Sequence, residues 1–123
     1  MGRVRITNDR IRVGKWFSVD FQRTLRIPND GQEHPLPPGF GALPLRRVRD
    51  HLRQVPAAWR ETDGVMLPLH RHEALWLSFY RCVSWHPVAV KVAVGGVNVI
   101  TGASHSAALS ADPQDYMVAP DQP

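Results

Sequence analysis

The chain has a single cysteine, Cys82, so no internal disulfide can staple it. It also lacks an apolar run of about 18 residues, the length a membrane-spanning helix requires. Its first residues, MGRVRITNDRIRV, are charged throughout and offer no apolar stretch of the kind export signals carry. Together these absences lead to the expectation of a cytoplasmic protein. Catalytic signatures are missing as well: there is no CxxC and no HExxH. Gly95-Gly96 and Gly39-Phe40-Gly41 have neither the Lys-Ser/Thr ending of a phosphate loop nor the strand-to-helix setting of a dinucleotide fingerprint, and they read as turns. Cys82 and His86 stand among Ser84, Trp85 and Pro87 in what reads as a loop, a poor setting for a nucleophilic pair. No catalytic residue and no cofactor is implied, and the reading leans away from an enzyme.

What is present is the composition of a globular protein. With 43% hydrophobic and 21% charged residues the 123-residue chain can close one core, so one β-rich domain over residues 1–123 is expected. The clearest pattern is VAVKVAVGGVNVIT, Val88 to Thr101, where β-branched residues alternate up to a Gly-Gly pair. The spacing predicts a hairpin with Val94 opposite Val97, Val92 opposite Val99 and Val90 opposite Thr101. One face is then nearly all valine and is expected to be buried. Ala89, Lys91, Ala93 and Asn98 fall on the other, so replacing Lys91 is expected to be nearly silent.

The remaining elements follow from the same periodicities. Short strands are predicted at Arg3 to Ile6 and Ile11 to Val13, around an Asn8-Asp9 turn. A longer strand runs from Trp16 to Ile27, in which Phe17, Val19 and Phe21 alternate with Ser18, Asp20 and Gln22. Residues 32–44, with Pro35, Pro37, Pro38 and Pro44, form an ordered Pro-rich loop anchored by Leu36, Phe40 and Leu43. Leu45, Val48, Leu52 and Val55 recur at helical spacing and predict an amphipathic helix over about 45–54, with Arg46, Arg49 and Arg53 on its polar face. Pro56 ends it, and a short turn carries Trp59. Val65 to Leu69, Ala74 to Tyr80, the hairpin and Tyr116 to Ala119 are expected to form an antiparallel meander, with a turn at Asp112 to Asp115. The expected fold class is α+β, mainly antiparallel β: a single small sheet domain with that meander in its second half and one helix near the middle.

Charge is unevenly distributed. Residues 1–60 hold 12 Lys and Arg against 5 Asp and Glu, a balance of +7, whereas residues 61–123 hold 3 against 6, a balance of −3. Arg3, Arg5, Arg10, Arg12, Lys15, Arg23 and Arg26 lie in the predicted strands, and Arg46, Arg49 and Arg53 on the predicted helix. Such a patch steers phosphates or an acidic partner, although a solvated surface is the commoner reason for it. His70 and His72 would share one face of a strand, a weak beginning of a metal site without a third ligand at a telling spacing. Trp16, Trp59, Trp76 and Trp85 include the candidates for an exposed aromatic platform, Trp76 and Trp85 foremost.

Four runs carry a resemblance: TLRIPNDGQEHPLPPGFGALPL (Thr24 to Leu45), VPAAWRETDGVMLPLHRHEALWLSF (Val55 to Phe79), HPVAVKVAVGGVNVITG (His86 to Gly102) and SADPQDYMVAPDQP (Ser110 to Pro123). They are similar to a family of uncharacterised bacterial and fungal proteins that share an LRIPDDG…PLPPGLG segment, an EALWLSF strand and an AVKV-VG-NA-SG hairpin. The resemblance implies no catalytic residues. Family members carry Tyr-Gln-Arg or similar at His70-Arg71-His72, and they continue past a QPWLDG motif where this chain stops at Gln122-Pro123. It implies a short or truncated member, equivalent to the N-terminal part of longer relatives. The leading expectation is a non-enzymatic binding or assembly module that uses exposed strand edges for self-association or a protein partner. The alternatives are a nucleic-acid-binding protein using the basic first half and a small metal-dependent protein using His70 and His72.

Overall fold

The structure, a computed structural model, describes residues 3–81 and 87–119. Cys82, Trp85 and His86 lie outside the described residues. The architecture is mostly antiparallel β. Strands β1 (Val4–Ile6), β2 (Arg10–Val13) and β3 (Phe17–Leu25) run as a meander, and β6 (Glu73–Arg81) returns along the far side of β3 to complete a sheet in the order β1-β2-β3-β6. The pairing of β3 with β6 spans nine residues, from Phe17 opposite Arg81 to Leu25 opposite Glu73. β4 (Arg46–Arg47) pairs with β5 (Val65–Met66). β7 (Val88–Val90) pairs with β10 (Met117–Ala119), and β8 (Ala93–Val94) with β9 (Val97–Asn98).

The meander therefore sits in the first half, not the second. The strand predicted at Ala74 to Tyr80 is correct, but its neighbour is β3, because alternation in β6 matches the length and face pattern of Phe17–Leu25 over the whole strand.

β3 is lined on both sides. β2 pairs only as far as Asp20. Beyond that point the Pro-rich segment takes over the same edge: the Arg23 N–H donates to the Gly41 carbonyl at 2.9 Å, Phe40 N–H to Arg23 at 2.8 Å, and Leu43 N–H to Phe21 at 2.7 Å. Its prolines fall outside these donating positions, as they must, since proline has no N–H. The close approach explains Gly39, where an added Cβ would come 2.9 Å from Gln22 Oε1 and 3.2 Å from Trp76 Cζ2.

The predicted helix over 45–54 does not form. Residues 48–51 make only a short 3₁₀ turn, preceded by β4. The backbone donors there have other partners: Leu45 N–H bonds Asn8 and Val48 N–H bonds Gly64. A helix confined between Pro44 and Pro56 is too short to compete with strand pairing on propensity alone. The apolar spacing nevertheless marks the core, since Leu45, Val48 and Val55 are buried beside the fully buried Leu43, and only Leu52 is exposed.

The two faces of the main sheet differ in kind. Register places Ile11, Val13, Phe17, Val19, Phe21, Leu75, Leu77 and Phe79 on one face, all of them half-buried. The other carries Arg12, Arg10, Ser18, Asp20, Gln22, Thr24, Trp76, Ser78 and Tyr80. Here Ser18, Asp20 and Thr24 are the buried residues. For Ser18 and Asp20 the burial has a visible cause. The Arg10 guanidinium lies 4.3 Å from the centre of the Tyr80 ring, although β2 and β6 are separated by β3 and thus by about 9.6 Å, twice the strand spacing. Arg10 therefore reaches across Ser18 and Asp20 and roofs them, 3.5 Å from Asp20 Oδ2 on the way.

Residues 87–119 are organised by side chains more than by strands. The Gly95-Gly96 turn is as predicted, with φ of 60° and 80° and Val94 opposite Val97, the geometry that favours glycine at both central positions. Val99 N–H still bonds Val92. The ladder then stops, because the Asn98 carboxamide oxygen accepts from the N–H groups of Ile100 and Thr101 and curls the chain. Val90 consequently pairs with Met117, not Thr101. The face assignment holds near the base of the hairpin, where Val88, Val90 and Val92 are half-buried and Ala89 and Ala93 exposed, but fails around the turn and at Lys91 and Asn98. Val94 is 69% exposed, and Val97 and Val99 about half, whereas Asn98 is 3% exposed and the Lys91 side chain 8%. Lys91 donates to the Ala108 carbonyl and Asp115 Oδ2, each at 2.8 Å, and to the Ser106 carbonyl. Asn98 Nδ2 donates to the Asp115 carbonyl at 2.8 Å. A fully bonded polar centre can be buried at little cost. These contacts oppose the expectation that replacing Lys91 is silent.

Candidate functional site

The edge of β6 is the most distinctive surface the fold creates. Its chemistry follows from strand parity. On β3, Arg23 uses both its N–H and its carbonyl on the Pro-rich strip, so the residues that face β6 with their backbone groups are the even-numbered ones, Ser18 to Thr24. Their partners Tyr80, Ser78, Trp76 and Ala74 point inward, toward β3. Leu75, Leu77 and Phe79 therefore direct their N–H and carbonyl groups outward, and no described residue bonds to them there. Charges stand only at the strand ends, Glu73 and Arg81, and Glu73 is anchored. Arg23 Nη1 donates to both its oxygens, at 2.5 and 2.7 Å, and His70 N–H to Oε2 at 3.0 Å. These bonds hold the Glu73 carboxyl below its ordinary pKa, the Arg23 guanidinium contributing most.

The same three outward residues have their side chains on the apolar face of the sheet, where they adjoin Val19 and Phe21. Phe79 packs tilted against Phe17 with ring centres 6.1 Å apart. An unpaired ladder thus borders a half-buried apolar surface, the combination that lets an added strand gain backbone bonds and side-chain burial together.

The residues singled out from the sequence are dispersed. Arg46 lines a groove of about 460 Å³ with Pro44, Trp59, Met66, Leu67 and Pro68, and its guanidinium donates to the Leu45 carbonyl at 2.8 Å. Arg49 and Arg53 are exposed, and without a helix they do not share a polar face with Arg46. Trp76 is half-buried against Gly39 and is no open stacking platform. Trp85 lies outside the described residues. His70 and His72 do come together, with ring centres 5.9 Å apart. Among the described residues no group of three His, Cys, Asp or Glu side chains converges on a common point. No helix among them is long and apolar enough to cross a membrane.

Sequence reasoning anticipated exposed edges but did not locate this one, since it placed the Ala74 to Tyr80 strand inside a meander. The signal was present in EALWLSFYR: nine residues with no proline and no lysine, the usual edge protections. No family model, no curated protein and no solved structure matches the chain.

Proposed function

We propose that this protein is a non-enzymatic assembly module in which β6 of one copy pairs with β6 of a second. The observation that carries the reading is the outward backbone of Leu75, Leu77 and Phe79, unbonded among the described residues. Antiparallel pairing about a two-fold axis at Leu77 sets Leu75 opposite Phe79 of the other copy and brings the acidic end of each strand, Glu73, to the basic end of the other, Arg81. It would join two four-stranded sheets into one of eight. Membership of the family its motifs resemble and action in the cytoplasm, a reducing setting that suits a lone cysteine, belong to the same proposal.

Light scattering over a concentration series, with amide exchange read at single residues, tests it. The expected result is a mass that doubles with concentration while the amides of Leu75, Leu77 and Phe79 pass from fast to slow exchange. A mass that stays monomeric at every concentration, with those three amides fast throughout, would show that the edge does not pair.

A further inference from the structure

The polar face of the β1-β2 hairpin carries a feature that strand pairing does not explain. Arg5 and Arg12 are direct cross-strand partners. Both side chains stand on one face of the sheet, the arrangement in which like charges destabilise a hairpin. The pair lies between two adjoining clefts. One, of about 290 Å³, is lined by Arg3, Arg5, Arg12, Gly14 and Lys15. The other, of about 360 Å³, is lined by Arg5, Thr7, Asp9, Arg10 and Arg12.

Five cations therefore line a trough formed by two clefts that share Arg5 and Arg12, and its wall offers one carboxylate, Asp9. Asp20 lies below and is engaged by Arg10 at 3.5 Å and by Gln22 Nε2 at 3.0 Å. Among the described residues Arg3, Arg5, Arg12 and Lys15 have no ion-pair partner. Residues two apart on a strand are separated by about 6.8 Å, so the arginines of β1 and β2 form a grid that extends along the trough and does not converge on a point.

We propose that this trough binds a chain of linked phosphates, with Arg5 and Arg12 gripping one phosphate from opposite sides and Arg3 and Lys15 engaging its neighbour. Guanidinium groups suit the task because each presents several fixed donors to a phosphate. A bound polyanion also removes the repulsion that the hairpin otherwise carries. This surface is separate from the β6 edge and does not depend on its pairing. The arginines at 46, 49 and 53 take no part.

The experiment uses the full chain with two probes, inorganic tripolyphosphate and a fluorescent oligothymidylate, and two double variants of equal net charge, Arg5→Gln with Arg12→Gln and Arg49→Gln with Arg53→Gln. The parent is expected to bind a probe saturably. The first variant should weaken binding roughly tenfold or more, and for the oligothymidylate it should flatten the slope of log affinity against log salt by about 1.4, the value for two lost contacts on a single strand. The second variant should bind as the parent does. The first variant should melt no lower than the parent, since it relieves a like-charge pair, and this separates loss of a site from loss of the fold. Binding of both probes assigns the site to short polyphosphates; binding of the oligothymidylate alone assigns it to a nucleic-acid backbone. No saturable binding of either probe, or equal loss in both variants, would overturn the proposal.

Discussion

Along β3 the backbone is satisfied by neighbouring strands, with β6 on one side and β2 followed by the Pro-rich strip on the other. In residues 87–119 the longest strand has three residues, and the loops between are tied down by side chains: Lys91 holds two carbonyls, Asn98 caps a turn, and Asp115 receives both Lys91 and the N–H of Ser110. One region is built as a ladder with an apolar core beside it, the other around a part-buried ion pair. The difference implies different weaknesses. A ladder loses stability in proportion to the packing removed, whereas a polar knot fails when one partner goes and leaves the rest buried without bonds.

The largest effect is expected from Leu43→Ala. Leu43 is fully buried where the Pro-rich strip meets Phe21, and its truncation should cost about 2–5 kcal/mol. Chemical denaturation monitored by tryptophan fluorescence would measure this, and a cost below about 1 kcal/mol would show that Leu43 is not central to the core.

Next in size is the pair of glycines. Valine at both Gly95 and Gly96 forces two β-branched residues to positive φ, at about 1 kcal/mol or more each. Amide exchange should rise around β8 and β9 while β3 and β6 keep their protection; a uniform rise would mean that the two regions unfold as one.

The subtlest probe is acid. Asp115 is held below its ordinary pKa, chiefly by the Lys91 ammonium and then by the Ser110 N–H. A carboxyl with a depressed folded pKa adds stability that is complete above its unfolded value, near 3.9, and is lost as pH falls through the lower folded value. Titration below about pH 4 should therefore loosen residues 91–115, and the Glu73 anchor at the end of the β3-β6 ladder, whose carboxyl pKa is depressed as well, should weaken in the same acid range. Lys91→Ala should remove the Asp115 step and lower the melting temperature by several degrees already at neutral pH. An unchanged melting temperature would restore the reading of Lys91 as a surface residue.

The legibility of the sequence divides along the same line. Alternation located β1, β2, β3, β6 and β10 to within a residue or two because each side-chain period of two is written locally. The core positions Leu43, Leu45, Val48 and Val55 were also visible, even though the helix expected to carry three of them was not formed. What could not be read was partnership. Nothing near Ala74 says that its neighbour is Thr24, fifty residues earlier. Nothing near Lys91 says that Asp115 will meet it, so a valine face seemed the natural one to bury. The β6 edge escaped for the same reason, and of the cationic trough the sequence showed the basic residues but not that Arg5 and Arg12 are partners: both features are defined by which strand lies beside which.

The main sheet is also lopsided at its borders. Along β6 a row of backbone groups is open among the described residues, whereas β1, at the opposite border, is three residues long, with Arg5 at its centre and Arg3 just before it. Positive charge on a short border strand repels a second one like it. The proposed pairing through β6 uses the same strand of both molecules and so leaves only the short, charged β1 at either end. Such a contact is isologous and closes on itself. If the two copies pair as proposed, the architecture sets a stoichiometry of two and denies the sheet a way to grow into a fibre.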